Sequence, residues 1–591
     1  MASGSHGKRR RLACTLALVA GVLLPGALTG LDRIGGTALA QSSTSDSSKD
    51  SQNQSDSHSS SQTSSQKNSS QNSSSKQDSS KQNSKDSSKD SSKQSSGQTS
   101  SQTSGQATPS GTNKTVKKLS SSERHRNSLE AAKIAKEAGE AFDRKDFEGS
   151  ERLLLKQVDL TPDNFVPYYN LATCHSMLGD GENALNWLTR AIERGYVDRS
   201  YMDHDASIAA VRRTKGYQTL VSNWPEVLKR HRDWNVDQCR EYVGDRTEPI
   251  FDEKFRLAYL SGFDAESTEH ARAELTKLAE WAVDNVFPDL LGADAEQNDA
   301  WVVVLLPNRP QFRRWMSENY GSAPGGAFYT IGGVYSHDRK RLVAQDLGGT
   351  LRHEFFHVLH WRDNTRKGQI HPPWVQEGLC SLVEDYDTDA KGTLRPAASW
   401  RTNQTRRVAK AGRLPSIREL VTMPYGKFTT SRPLANYAQA RTLFLYLYDA
   451  GKLKEWYATY NATFREDPTG VVAFEKTLGQ DMSTIDNDYR AYVRALPEIP
   501  EEIAPGKASL GLDVDAGTGE GPVITSVVLG ASAKAGLRRA DVITAIEGRP
   551  TRDMAELVRV LSDYSVGDTV EVSYRRGKNH GEAQVTLVPK G

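Results

Sequence analysis

His353 and His357 stand four residues apart with Glu354 between them, in 351-LRHEFFHVLHWRDN-364. On an α-helix that spacing puts both imidazoles on one face, about one turn apart. Two histidines so placed can share one tetrahedral zinc ion through short Zn–N bonds. Glu354 lies beside them, in reach of water at such an ion without being a ligand. A carboxylate there can take the proton as water attacks a carbonyl. Leu351, Phe355, Phe356, Val358 and Leu359 surround the motif, which is expected to lie on a buried helix.

A zinc site of this kind needs a third protein ligand, and two candidates present themselves. His357-x-x-His360-x-x-Asp363 has the spacing of the extended metzincin motif in its Asp-ended form. That motif places glycine where His360 stands, because the chain must leave the helix sharply. The other candidate is Glu377, in 372-PPWVQEGLCSLVEDY-386, a second helix primed by prolines with Glu384 seven residues further on. A reversing loop over 361–371 would pack the two helices antiparallel and carry Glu377 to the metal.

Trp374-Val375-Gln376-Glu377-Gly378-Leu379 resembles the ligand helix of the gluzincin metallopeptidases. The resemblance implies His353, His357 and Glu377 as zinc ligands and Glu354 as general base. Cys380 stands where that family usually has Ala or Thr. Glu384 is a candidate carboxylate for orienting a ligand histidine from behind. Downstream, 434-LANYAQARTLFLYLYDAG-451 resembles a helix of the peptidase-MA-like gluzincins. Its Tyr437 is a candidate to donate a hydrogen bond to the oxyanion of the transition state.

These residues need a scaffold, which the sequence places at 246–500. Strands are expected at 250-IFDEKFRLAYL-260 and 300-AWVVVLLP-307, and helices at 266–287 and 310–320. A glycine-rich stretch at 325–346 then feeds the motif helix at 347–361. That arrangement is an α+β sheet feeding a long helix, and the gluzincin resemblance implies a zincin-like metallopeptidase domain over it.

Upstream, 145-KDFEGSERLLL-155 is echoed by 179-GDGENALNWLT-189. Asp146 and Asp180, Ala138 and Ala172, and Leu154 and Leu188 are each 34 residues apart. That period resembles tetratricopeptide repeats, in which small residues let antiparallel helices approach closely. A helical repeat module is therefore expected over 121–225. Residues 505–591 resemble a PDZ domain, a β-rich module that captures peptide C-termini by adding them as a strand. In 509-SLGLDV-514 the loop Leu510-Gly511-Leu512 takes the place of the carboxylate-binding loop. Ala540 stands where the family prefers glycine.

Composition bounds the rest. The chain has 591 residues, long enough for several domains, and a formal net charge of +2. There is no global basic field to draw nucleic acid. The four cysteines show no C-x-x-C spacing for a metal or redox motif. Lys8-Arg9-Arg10-Arg11, the apolar 12–30 and the small-x-small 38-ALA-40 read as a signal peptide over 1–40. Membrane attachment would then arise only through an uncleaved leader. Gln41 to Gln106 contains no AVILMFWYC residue, so 41–120 is expected to be disordered.

The expectation is a multidomain, exported (secreted, periplasmic or cell-surface) zinc metallopeptidase acting on polypeptide. Its repeats and PDZ domain would present the substrate. Two alternatives stay open: a peptide-binding scaffold without activity, and a zinc hydrolase of a non-peptide substrate.

Overall fold

The first helices sit where the sequence repeats. In the computed structural model, which describes residues 39–41, 120–244, 247–290, 300–320, 331–389, 392–515, 519–527 and 530–591, α1 (Ser121–Asp143), α2 (Phe147–Leu160), α3 (Phe165–Met177) and α4 (Gly181–Glu193) form two successive hairpins. The 34-residue period also appears in the turns. Lys145 and Gly179 both have positive φ, 64° and 84°. Each precedes an aspartate, Asp146 or Asp180, whose side chain caps the next helix. Ala138 and Leu154 pack with Leu171 in one core, and Ala172 and Leu188 lie in the next. The small residues let the helices close on each other without voids.

Short helices α5 (Arg199–His204), α6 (Ala209–Arg212) and α7 (Lys215–Ser222) follow. They lead to α8 (Trp224–Val243). This helix spans the stretch between the two expected modules and packs on the next one. Val236, Cys239 and Tyr242 join Ala258, Leu260, Val302 and Val304 in one core.

The central sheet has the order β1-β5-β6-β4-β3-β2. Its strands are β1 (Leu39–Gln41), β2 (Ile250–Asp252), β3 (Leu257–Ser261), β4 (Trp301–Leu305), β5 (Ile331–Ser336) and β6 (Arg341–Ala344). β3, β4 and β6 run parallel, with Leu257 opposite Trp301 and Val302 opposite Arg341. β5 returns antiparallel, Gly333 opposite Ala344. β1 pairs with β5, Leu39 opposite Val334. The rest of the expected leader and the Ser/Gln-rich segment lie outside the described residues.

β4 is apolar throughout and completely buried, because both faces of the sheet are covered. On one side lie α8 and α10 (Arg309–Tyr320). On the other lie α9 (Ala265–Asn285) and α11 (Gly349–Arg366), which carries the histidine motif.

α11 departs from the sequence expectation. It continues to Arg366, so 361–366 is helix and only 367–372 turns the chain. Within the added turn Asp363 pairs with Lys367 and accepts a hydrogen bond from Tyr457 at 2.7 Å. The local pair with Lys367 and the tertiary bond from Tyr457 hold the turn helical. α12 (Pro373–Leu382) follows and ends two residues before Glu384.

Helices α13 (Trp400–Lys410), α14 (Ile417–Val421), α15 (Tyr425–Thr430), α16 (Pro433–Asp449), α17 (Leu453–Thr463), α18 (Val471–Leu478) and α19 (Met482–Ala495) complete this core. A two-stranded ribbon, β7 (Tyr386–Thr388) and β8 (Leu394–Pro396), interrupts them before α13. α12 lies against α16 at Gly378, where a Cβ would stand 2.7 Å from the Phe444 ring. Glycine is what lets the two helices approach this closely.

The C-terminal sheet has the order β10-β11-β12-β14-β15. Its strands are β10 (Leu512–Asp515), β11 (Val523–Val527), β12 (Val542–Ile546), β14 (Thr569–Arg576) and β15 (Asn579–Thr586), with β13 (Arg549–Pro550) beside β12. β9 (Ala508–Ser509) pairs with β16 (Val588–Pro589). Helices α20 (Ala531–Lys534) and α21 (Met554–Leu561) pack on the sheet. Among the described residues no helix is long and apolar enough to cross a membrane.

Candidate metal centre

Three donor atoms converge between α11 and α12. His353 Nε2 lies 3.2 Å from His357 Nε2 and 3.3 Å from Glu377 Oε2, and His357 Nε2 lies 3.7 Å from the same oxygen. Atoms bonded to one tetrahedral zinc at 2.0–2.1 Å are about 3.3–3.4 Å apart. The three separations bracket that value. His353 and His357 are buried, as is Glu377.

The protonation pattern gives a second test of fit. His353 Nδ1 lies 2.8 Å from Glu384 Oε1. A carboxylate only accepts, so Nδ1 carries a hydrogen, and Nε2 is the nitrogen turned toward His357 and Glu377. Two imidazole nitrogens and a carboxylate oxygen facing one point call for positive charge. The same demand appears in the titration of these groups. Burial disfavours charge on His353, but the hydrogen bonds and charges of Glu377 and Glu384 outweigh it and push its pKa up to about 10. Glu377 resists burial likewise. His357 and His353 hold its pKa down to about 2. The donor set fits a zinc ion.

Further partners hold this cluster from behind. Arg401 on α13 grips both oxygens of Glu384, Nη2 reaching Oε1 at 2.8 Å. Burial raises the Glu384 carboxyl, yet Arg401 and then His353 bring it down to about 2. Arg441 on α16 donates to the carbonyls of Ser381 and Ala397, at 2.7 Å each, and fixes the chain where α12 ends. The Tyr335 ring of β5 stacks on His357 at 5.1 Å.

Glu354 is completely buried. It faces β5, where a Cβ on Gly333 would stand 2.7 Å from its Cγ. The strand can pass this close only without a side chain at 333. Tyr437, half-buried on α16, packs its ring 5.4 Å from Phe428. Burial, followed by the charge of Glu377, raises its hydroxyl pKa. Tyr425 on α15 responds to the same two causes and is pushed up to about 12.

The structure thus brings His353, His357, Glu377 and Glu384 together and puts Asp363 elsewhere, with Tyr457 and Lys367. His360 also leaves the cluster, its Nε2 lying 2.8 Å from His371 Nδ1. Sequence reasoning missed Arg401, Arg441, Tyr335 and Tyr425. Each arrives through tertiary packing, with no local motif to mark it. Cys380 is buried, and desolvation followed by the charges of Glu377, Glu354 and Glu384 raises its pKa, so it stays a thiol.

In the C-terminal sheet, Leu510 is buried and its carbonyl accepts from Ser532 Oγ. Gly511 has φ +67° and its N–H donates to Ser509 Oγ at 3.3 Å. Leu512 begins β10, the free edge strand of the sheet path.

A family model for the PDZ domain matches residues 478–587. The match begins in the last helices of the central region and takes in strands β9 to β15. The chain carries a PDZ domain at its C-terminus. Protease Do-like 8, chloroplastic, from Arabidopsis thaliana is 38% identical over 50 residues, 8% of this chain and 11% of that protein. The chain thus matches only about a tenth of that relative's length. Among solved structures, an aminopeptidase N family protein from Idiomarina loihiensis has 15% identity and a TM-score of 0.25. That similarity covers 59% of this chain and 68% of that one.

Proposed function

We propose that this protein is a zinc-dependent metallopeptidase whose substrates are polypeptides. What carries the reading is the convergence of His353 Nε2, His357 Nε2 and Glu377 Oε2 at tetrahedral spacing, with a buried carboxylate, Glu354, next in sequence to a ligand. Zinc, when bound by those three residues, supplies Lewis-acid activation of water and of the substrate carbonyl.

The chain's own residues do the rest. Glu354 takes the proton from the attacking water and returns it to the leaving amine. Glu384, braced by Arg401, keeps the hydrogen of His353 on Nδ1 so that Nε2 stays available to the metal. Tyr437 donates its phenolic hydrogen to the oxyanion, which exists only beyond the ground state. Gly333 lets β5 run close beside Glu354 and so helps hold that carboxylate in place.

The PDZ domain supports a polypeptide substrate, since backbone N–H groups of the Leu510-Gly511-Leu512 loop suit a C-terminal carboxylate. The relative named as a protease agrees with a PDZ domain that serves proteolysis. The tetratricopeptide-like hairpins would add a second surface for presenting chain. Export is inferred from the leader residues alone.

The deciding experiment measures zinc content and cleavage of an unfolded protein, for the wild type and for Glu354→Gln. Wild type should hold one zinc and cleave; the variant should keep the zinc and lose cleavage. Loss of the metal in the variant would make Glu354 a ligand or a structural residue and sink the assignment.

A further inference from the structure

The PDZ domain is docked on the metal-binding helix itself. The carbonyl of Gly519, in the β10–β11 connection, accepts from Leu347 N at 2.8 Å, two residues before α11 begins. A Cβ on Gly519 would stand 2.0 Å from the carbonyl oxygen of Gln345. At the same end, Arg352 of α11 extends Nη2 to Glu556 of α21 at 2.8 Å. This arginine is buried, 2% exposed, and Glu556 is only 16% exposed.

Arg352 is the residue before His353, and its guanidinium does three things at once. Nη1 meets Glu274 of α9 at 3.0 Å. Nε and Nη2 donate to the backbone carbonyl of Glu384. The carboxylate of Glu384 then holds His353 Nδ1. A series of contacts therefore runs from the PDZ helix to a metal ligand, passing through the backbone of Glu384 to its own side chain. Its links are Glu556, Arg352, Glu384 and His353.

We propose that Glu556 is a positioning residue of the metal centre, acting through Arg352 and Glu384 on His353. The proposal rests on the metallopeptidase reading above. Glu274 and Glu556 together balance two buried guanidinium groups, Arg352 and Arg552, that burial would otherwise penalise, and so keep Arg352 against the carbonyl of Glu384. Remove one carboxylate, and Arg352 loses both charge balance and direction, leaving the backbone of Glu384 less firmly held. α21 also packs on the core beneath edge strand β10. Its Met554 packs in the same apolar cluster as Leu512 and Val514 of edge strand β10.

The test uses the full chain and Glu556→Gln. Glu556 Oε2 also accepts from Arg552 N at 2.8 Å, and glutamine keeps an acceptor for that bond while removing the charge. Arg559→Ala is the control. It breaks the pair of Arg559 with Asp387, a contact of the same helix with the same neighbour domain that lies off the chain to His353.

Direct partners of ligand histidines change metal affinity or activity by about 10–100-fold. Two links further out, Glu556→Gln should speed zinc release to a chelator on the order of 5-fold and lower kcat to a similar extent. KM and the affinity for a peptide with a free C-terminal carboxylate should stay as in wild type. Arg559→Ala should release zinc at the wild-type rate. Equal release from Glu556→Gln and wild type would overturn the proposal alone, and so would an equal acceleration in Arg559→Ala. Zinc release requires metal binding and not peptide hydrolysis, so it is read even if no cleavage is seen. A wild-type chain that takes up no zinc would overturn the metallopeptidase reading and this one together.

Discussion

Glu384 and His353, 31 residues apart in the chain, meet at 2.8 Å between Oε1 and Nδ1, and Arg401 holds the same carboxylate from the other side. The pair sets which nitrogen of His353 faces its neighbours. Arg401 first, and His353 after it, keep this buried carboxyl ionised.

Glu384→Gln tests this relationship without emptying the space. The amide oxygen still accepts from His353, but it no longer balances Arg401 or strengthens the imidazole as a donor. Zinc affinity should fall roughly 10-fold, the lower end of the range for such partners, with the fold retained by circular dichroism. Unchanged affinity would reduce Glu384 to a counter-ion for Arg401.

Glu377 and Asp363 compete on spacing alone, and their surroundings now separate them. Glu377 Oε2 lies within 3.7 Å of both ligand nitrogens, whereas Asp363 is completely buried and bonded to Tyr457. Glu377→Ala should lose zinc. Asp363→Asn should keep zinc and lose thermal stability instead, because an amide cannot satisfy both Tyr457 and Lys367 as the carboxylate does. The opposite pattern would return the third ligand to α11.

Tyr437 and Tyr425 both feel the charge of Glu377, and both are held as neutral phenols able to donate. In Tyr437→Phe, kcat should fall on the order of 10²-fold, the scale for one oxyanion donor, with zinc and KM little changed. The same loss in Tyr425→Phe, with Tyr437→Phe near wild type, would move the role to Tyr425. That residue opens a six-residue helix after Pro424.

What the sequence made legible was local. His353, Glu354 and His357 share one face by helical spacing, and Glu377 was marked by a proline-primed helix that resembles the gluzincin ligand helix. The PDZ domain was legible because its strands and loop follow in one unbroken run. Arg401, Arg352 and Glu556 carry no such mark. Their partners are 17, 32 and 204 residues away, and nothing in their flanking residues distinguishes them from solvated charges. The end of α11 was misplaced for the same reason. Asp363 reads as a ligand or as part of a reversing loop until Tyr457, 94 residues later, supplies its partner.

Ala540 is a last case in which one residue departs from the expected pattern and the backbone does not. Its φ is +71°, in the left-handed region, and its N–H donates to Ile524 O at 2.8 Å. The turn that delivers Asp541 to β12 therefore keeps the conformation glycine would take, at the steric cost a Cβ imposes there, about 1–2 kcal/mol. The side chain is exposed, so replacing it removes no packing. Glycine regains that cost but is more flexible in the unfolded chain, which offsets about 0.5–1 kcal/mol. Ala540→Gly should therefore stabilise the PDZ domain by about 1 kcal/mol, read as slower hydrogen exchange at β11 and β12 in the full chain. Ala540→Val, with a branched Cβ in the same conformation, should accelerate exchange. Identical exchange in all three would mean that the turn relaxes out of the left-handed region at no cost.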